Sequence, residues 1–203
     1  FNALKEIELK DNVIYQNLMG RCYLDSIGVQ QDCEEALKWL ELAANQGCSD
    51  SQNLLGIFYR NGIVVKQNFD KAFMWFEKSA NQNYVAAQVN LGVAYYFGLG
   101  TSQDYEKAVE LWTKAANQGD SDALVKLAGC YSEGTGVEPD LSKSLELWEK
   151  ASNLDNEDAQ FMMGTFYETG VVINQDYKKA IDLYSKAAQK GNSNAQYNLG
   201  NCY

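Results

Sequence analysis

Residues 86–120 read AAQVNLGVAYYFGLGTSQDYEKAVELWTKAANQGD. Gly92 falls inside a helical pattern, where glycine costs about 1 kcal/mol relative to alanine. The cost recurs. Gly20, Gly56, Gly92, Gly164 and Gly200 share one 36-residue period, with Ala128 in the remaining slot. Tyr23, Tyr59, Tyr95, Tyr131, Tyr167 and Tyr203 fill another slot of that period without a gap. The chain is a repeat array, in which each unit packs on its neighbours.

Each unit reads as two helices and two turns. Asp120, Asn156 and Asn192 precede the first helices as N-caps, and Asp32, Asn68, Asp104, Asp140 and Asp176 precede the second. In the third unit, Ala87, Leu91, Gly92 and Tyr95 lie on one face of the first helix. Gly98 and Gly100, matched by Gly134 and Gly136, mark the turn. The second helix carries Ala108, Leu111, Trp112, Ala115 and Ala116, and Gly47, Gly119 and Gly191 mark the second-helix ends. A mid-helix glycine in almost every unit implies helices too close for a side chain, with aromatic residues such as Tyr95 and Trp112 filling the space beside the crossing. The full units span 12–47, 48–83, 84–119, 120–155 and 156–191. Residues 1–11 read as the end of a preceding unit and 192–203 as the start of a sixth. The phase running through both ends suggests one array that is a piece of a longer one, with uncapped ends open to self-association.

Composition excludes several classes. Hydrophobic residues make up 46% and the net charge is −10, which argues against nucleic acid or an anionic membrane as the main partner. No apolar run is long enough for a membrane span. There is no histidine, so Ser-His-Asp and Cys-His arrangements and the commonest zinc ligand are missing. No P-loop, no Ser-x-x-Lys and no zinc-ribbon cysteine spacing occurs, and the Gly-x-Gly turns lie between helices rather than after a strand. No catalytic, metal or cofactor site is expected. Of the five cysteines, Cys22, Cys130 and Cys202 share a slot with Phe58, Ala94 and Phe166, which reads as an apolar packing site for free thiols. Cys33 could pair with Cys22 or Cys48, but that spacing does not recur. Unpaired thiols favour a cytoplasmic setting, with a secreted or periplasmic one left open.

The motif of residues 86–120 resembles the Sel1-like repeat, a relative of the tetratricopeptide repeat. It has an Ala-x-x-x-Leu-Gly-x-x-Tyr helix, a Gly-x-Gly-Val turn at Gly134–Val137, and an Asp-x-x-Lys-Ala start at Asp104, Lys107 and Ala108. Ser26, Asn83, Asp155 and Ser144 depart from it. The resemblance implies an all-α, right-handed α-solenoid of 36-residue helix-turn-helix repeats. It also implies a non-catalytic scaffold or adaptor. Alternatives are a self-associating array or an accessory segment of a larger protein. In the related architecture, ligands meet first-helix positions that face away from the Leu-Gly-Tyr seam. Carried onto this chain, these become a concave protein- or peptide-binding face of Asn17, Arg21, Asn53, Arg60, Asn61, Val89, Val93, Tyr96, Phe97, Val125 and Phe161. Arg21 and Arg60 are the chain's only arginines. They would grip a carboxylate, and the apolar members would anchor side chains.

Overall fold

A computed structural model describes residues 11–201. The helix end expected over residues 1–10, and Cys202 and Tyr203, lie outside the described residues. Among those described there are eleven α-helices and no strand. They are α1 (Val13–Asp25), α2 (Cys33–Asn45), α3 (Ser49–Asn61), α4 (Phe69–Ala80), α5 (Val85–Phe97), α6 (Tyr105–Asn117), α7 (Ser121–Glu133), α8 (Leu141–Asn153), α9 (Glu157–Thr169), α10 (Tyr177–Gln189) and α11 (Ser193–Asn201). The fold is an all-α tandem array of helix pairs, of the solenoid class. The chain divides into two compact units, Phe1–Asp104 and Tyr105–Tyr203. In the first, α1 to α5 pack each on its sequence neighbour. In the second, α6 to α11 do the same.

Side-chain caps start most helices. Asn12, Asp120, Asn156 and Asn192 accept backbone N–H bonds at first helices. Asp32, Asn68, Asp140 and Asp176 do so at second helices. Cys48 and Tyr84 occupy the N-cap of α3 and α5 without a side-chain bond. First helices stop on a left-handed C-cap, and second helices are followed by a left-handed residue two or three positions past their last one, at the glycines the pattern marked. The replacements keep that conformation: Ser26 has φ 58°, Asn83 60° and Asp155 66°. Val64 (φ 63°) and Val172 (φ 72°) hold the slot of Gly100 and Gly136, where a β-branched residue is strained. The lysine of Asp-x-x-Lys has a second partner: Lys71 sits 4.9 Å from the Tyr59 ring centroid and Lys179 5.0 Å from that of Tyr167.

The close approach behind the mid-helix glycines is present at Gly20, Gly56 and Gly164, whereas a methyl on Gly200 would meet nothing within 4 Å. A methyl on Gly20 would lie 2.7 Å from Leu40 Cδ2, and one on Gly164 2.7 Å from Tyr184 Cδ1. One on Gly56 would collide with the Phe76 ring, itself only 1% exposed. Gly92 is buried as well. In the repeat that carries Ala128, Ser144 Oγ donates to the Ala128 carbonyl at 2.7 Å.

A second periodic device went unread in the sequence. Gln16, Gln52, Gln88 and Gln160 are buried at one slot of the 36-residue period. Gln46 Nε2 donates to Gln16 Oε1, and Gln82 Nε2 to Gln52 Oε1, both at 2.8 Å. Gln52 Nε2 in turn donates to the Ala44 carbonyl at 3.0 Å, tying α3 to the end of α2. The glutamines thus satisfy one another, and Gln52 adds a second bond to a helix-end carbonyl that also accepts from the Gly47 N–H. In the fifth repeat the partner is Lys190, which turns instead to Asp155 and leaves Gln160 Oε1 buried without a bond. Cys22, Cys33, Cys48 and Cys130 are free thiols. Cys130 is buried, and burial pushes its pKa up to about 11, with Glu133 adding to the effect.

Candidate functional site

Arg60 stands in the last turn of α3, where its charge suits the carbonyl end of the helix. Its Nη1 donates to Asn90 Oδ1 on α5 at 2.8 Å, and its Nε to Asn61 Oδ1 at 3.1 Å. Asn90 Nδ2 donates to Asn53 Oδ1 at 3.0 Å, and Asn53 is 5% exposed. The guanidinium carbon lies 5.7 Å from the Phe76 ring centroid. Burial lowers the Arg60 pKa, yet a guanidinium stays charged. Among the described residues no carboxylate is within ion-pair distance of it. Two neutral amide oxygens hold the charge in place without neutralising it.

Arg21 belongs to a different network. Its Nη1 meets Asp50 Oδ2 at 3.0 Å, and Asp50 Oδ1 accepts from the Tyr84 hydroxyl at 2.7 Å. The Tyr84 pKa is pushed up to about 12, mainly by burial and then by the bond to Asp50. Asn17 Oδ1 accepts from Ser51 Oγ at 2.7 Å. Thus Arg21 carries its own carboxylate partner and Arg60 does not.

On α5, Asn90, Val93 and Phe97 lie three and four residues apart, which puts them on one stripe beside Arg60. Val89, Val93 and Tyr96 are half-buried, while Phe97 is 62% exposed. The Tyr96 and Phe97 rings meet edge-on, with centroids 4.9 Å apart. In the other unit, Val125 is half-buried on α7. Phe161 on α9 packs against the cluster of Ala180, Tyr184, Ala187 and Ala195, with its ring centroid 5.8 Å from that of Tyr184.

The sequence reading missed Asn90, Asp50 and Tyr84. Each pairs across to the next repeat, roughly thirty residues from its partner. A spacing near one period minus two helical turns was the available signal. Arg60 to Asn90 and Arg21 to Asp50 both have it.

The Sel1 repeat family model matches residues 13–48, 49–84, 85–120, 121–156, 157–192 and 193–203. Among solved structures, the chain is similar to a Sel1 repeat protein from Oxalobacter formigenes, at 29% identity and TM-score 0.87. That match covers 94% of this chain and 76% of the other. It is also similar to c5321, a protective antigen of uropathogenic Escherichia coli with an SLR fold. The values there are 33% identity and TM-score 0.80, over 95% of this chain. The chain spans 41% of that antigen's length. A putative Sel1 repeat protein from Klebsiella pneumoniae shares the fold at 20% identity and TM-score 0.60, over 93% of this chain and 92% of its own. Among curated proteins none matches.

Proposed function

Since the chain belongs to the Sel1 repeat family, whose members are generally protein-interaction scaffolds and typically non-catalytic, we propose that it binds a protein partner through the variable slots of its first helices. A carboxylate of the partner docks on Arg60, and an apolar side chain beside it rests on Val93 and Phe97. The observation that carries this reading is the Arg60 charge, held by Asn61 and Asn90 with no acid beside it. Arginine held at a fixed angle offers a carboxylate parallel N–H donors. Asn53 and Asn90 act through Arg60, as its support. The exposed Phe97 ring supplies the anchor, and aromatic and arginine side chains are the residue types that dominate interface energies. Arg21 contributes less, because Asp50 already neutralises it. In the second unit, Val125 on α7 and Phe161 on α9 would offer contacts of the same apolar kind.

The test is panning of a random twelve-residue displayed peptide library against the intact chain. Selected peptides should share an acidic residue or a free C-terminal carboxylate beside an apolar one. Arg60→Gln should weaken them about tenfold to a hundredfold, the worth of a charge-assisted bond. Arg21→Gln should leave affinity within about threefold, the range of a surface pair. Peptides without a carboxylate, or binding indifferent to both R60Q and F97A, would remove the reading.

A further inference from the structure

The fourth repeat breaks the glutamine pairing in a concerted way. Where the first and second repeats place Gln16 with Gln46 and Gln52 with Gln82, the fourth has Leu124 and Leu154. Both partners change together, so no amide is stranded in either place. The exchange coincides with a groove of about 480 Å³ between α6, α7 and α8, wholly within Tyr105–Tyr203. Leu124, Leu127 and Leu147 line it and are buried in the core. Leu154 also lines it, yet is 51% exposed. Lys143 and Lys150 stand at its edge, seven residues apart on α8, which is about 10 Å along the helix.

Charge sets this groove apart from the rest of the molecule. The chain carries 27 acidic residues against 17 basic ones, yet no Asp or Glu lines the groove. Lys143 Nζ shares its charge with Glu146, outside the groove, at 3.4 Å. Lys150 has no ion-pair partner among the described residues. An apolar floor with cations at one edge fits a molecule with an apolar body and one negative end. The volume falls in the range of small-molecule sites. The lysines are mobile point charges rather than a planar fork, so they suit a single anionic head on a flexible chain.

We propose that this groove binds a single-chain aliphatic carboxylate, its hydrocarbon against Leu124, Leu127, Leu147 and Leu154 and its head group at Lys143 and Lys150. Burial of each methylene raises affinity about fourfold, and the head group adds a charge-assisted contact. The site uses the second-helix side of the fourth repeat. It shares no residue with the Arg60 surface, so failure here leaves the peptide reading untouched.

The probe is decanoate, titrated into the intact chain well below its micelle concentration and followed by calorimetry, with 1-decanol as the uncharged companion. Saturable one-to-one decanoate binding is expected. Leu154→Glu, at a half-exposed position that tolerates charge, should weaken it at least about tenfold, by setting a carboxylate against the ligand's own. Leu124→Gln with Leu154→Gln restores the pair seen in the first two repeats and should do the same, with an unchanged circular dichroism spectrum. Lys143→Met with Lys150→Met should weaken decanoate about tenfold while 1-decanol changes by less than about twofold. No saturable binding, or decanoate binding unchanged by both leucine variants, overturns the site. Equal loss of decanoate and 1-decanol in the lysine variant overturns the carboxylate.

Discussion

Gly56→Ala adds one methyl group to α3 and should have opposite effects in two backgrounds. In the native chain the new carbon collides with the Phe76 ring. That ring is 1% exposed and lies under the Arg60 guanidinium, so it has little room to retreat. Overpacking of this kind costs about 1–3 kcal/mol. Alanine returns about 1 kcal/mol of helix propensity. The net loss should be up to about 2 kcal/mol, or up to roughly 8 °C in Tm for a chain of this size. In a Phe76→Ala background the obstacle is gone, and the same Gly56→Ala change should stabilise by up to about 1 kcal/mol. The coupling between the two sites is then about 1–3 kcal/mol, the overpacking cost itself. Gly129→Ala is the control: it is also mid-helix, but a methyl there meets nothing within 4 Å, so it should stabilise by about 0.5–1 kcal/mol. Urea melts followed by circular dichroism read all four variants, with constant m-values as the check on cooperativity in a repeat array. Equal effects of Gly56→Ala with and without Phe76, or a Gly129→Ala loss as large as that of Gly56→Ala, would refute the steric account of the repeat.

Two further outcomes follow from the hydrogen-bond ladder and from Tyr84. Lys190→Gln should place an amide against the orphaned Gln160 Oε1 as Gln82 does against Gln52. A thermal melt should show a gain of about 1 kcal/mol, because satisfying a buried acceptor outweighs an exposed ion pair. A fall in Tm would show that the Asp155 contact matters more. Tyr84 ionises at about 12, above its ordinary 10. A raised phenol pKa means the folded state keeps its proton longer. Its stabilisation is therefore complete below pH 10 and is lost as pH rises through 12. Tyr184 is raised too, by burial and then by its bond to Glu168, so absorbance at 295 nm should show more than one late-titrating phenol and Tyr84→Phe should remove one of them. That variant should also flatten the alkaline loss of stability.

Much of the fold was legible in one dimension because a repeat writes the same steric demand many times. A glycine every 36 residues marks a crossing, and Gly20, Gly56 and Gly164 do face Leu40, Phe76 and Tyr184. Most caps were legible for the same reason: an Asp or Asn suits the place where a helix leaves four N–H groups unpaired, although Cys48 and Tyr84 stand there at α3 and α5. What the sequence could not show was which polar side chains meet. Arg21 and Arg60 sit at equivalent kinds of slot, yet Asp50 neutralises one and Asn90 merely holds the other. That difference depends on how successive first helices are offset in space, which periodicity does not encode. The glutamine ladder and the Leu124–Leu154 exchange were present as letters, but their pairing joins residues thirty apart on different helices. Local spacing determines which helices form and where they stop. The stacking of those helices decides which charges are paired, which amides are satisfied and where a groove opens, because these depend on distances between chain segments that only packing brings together.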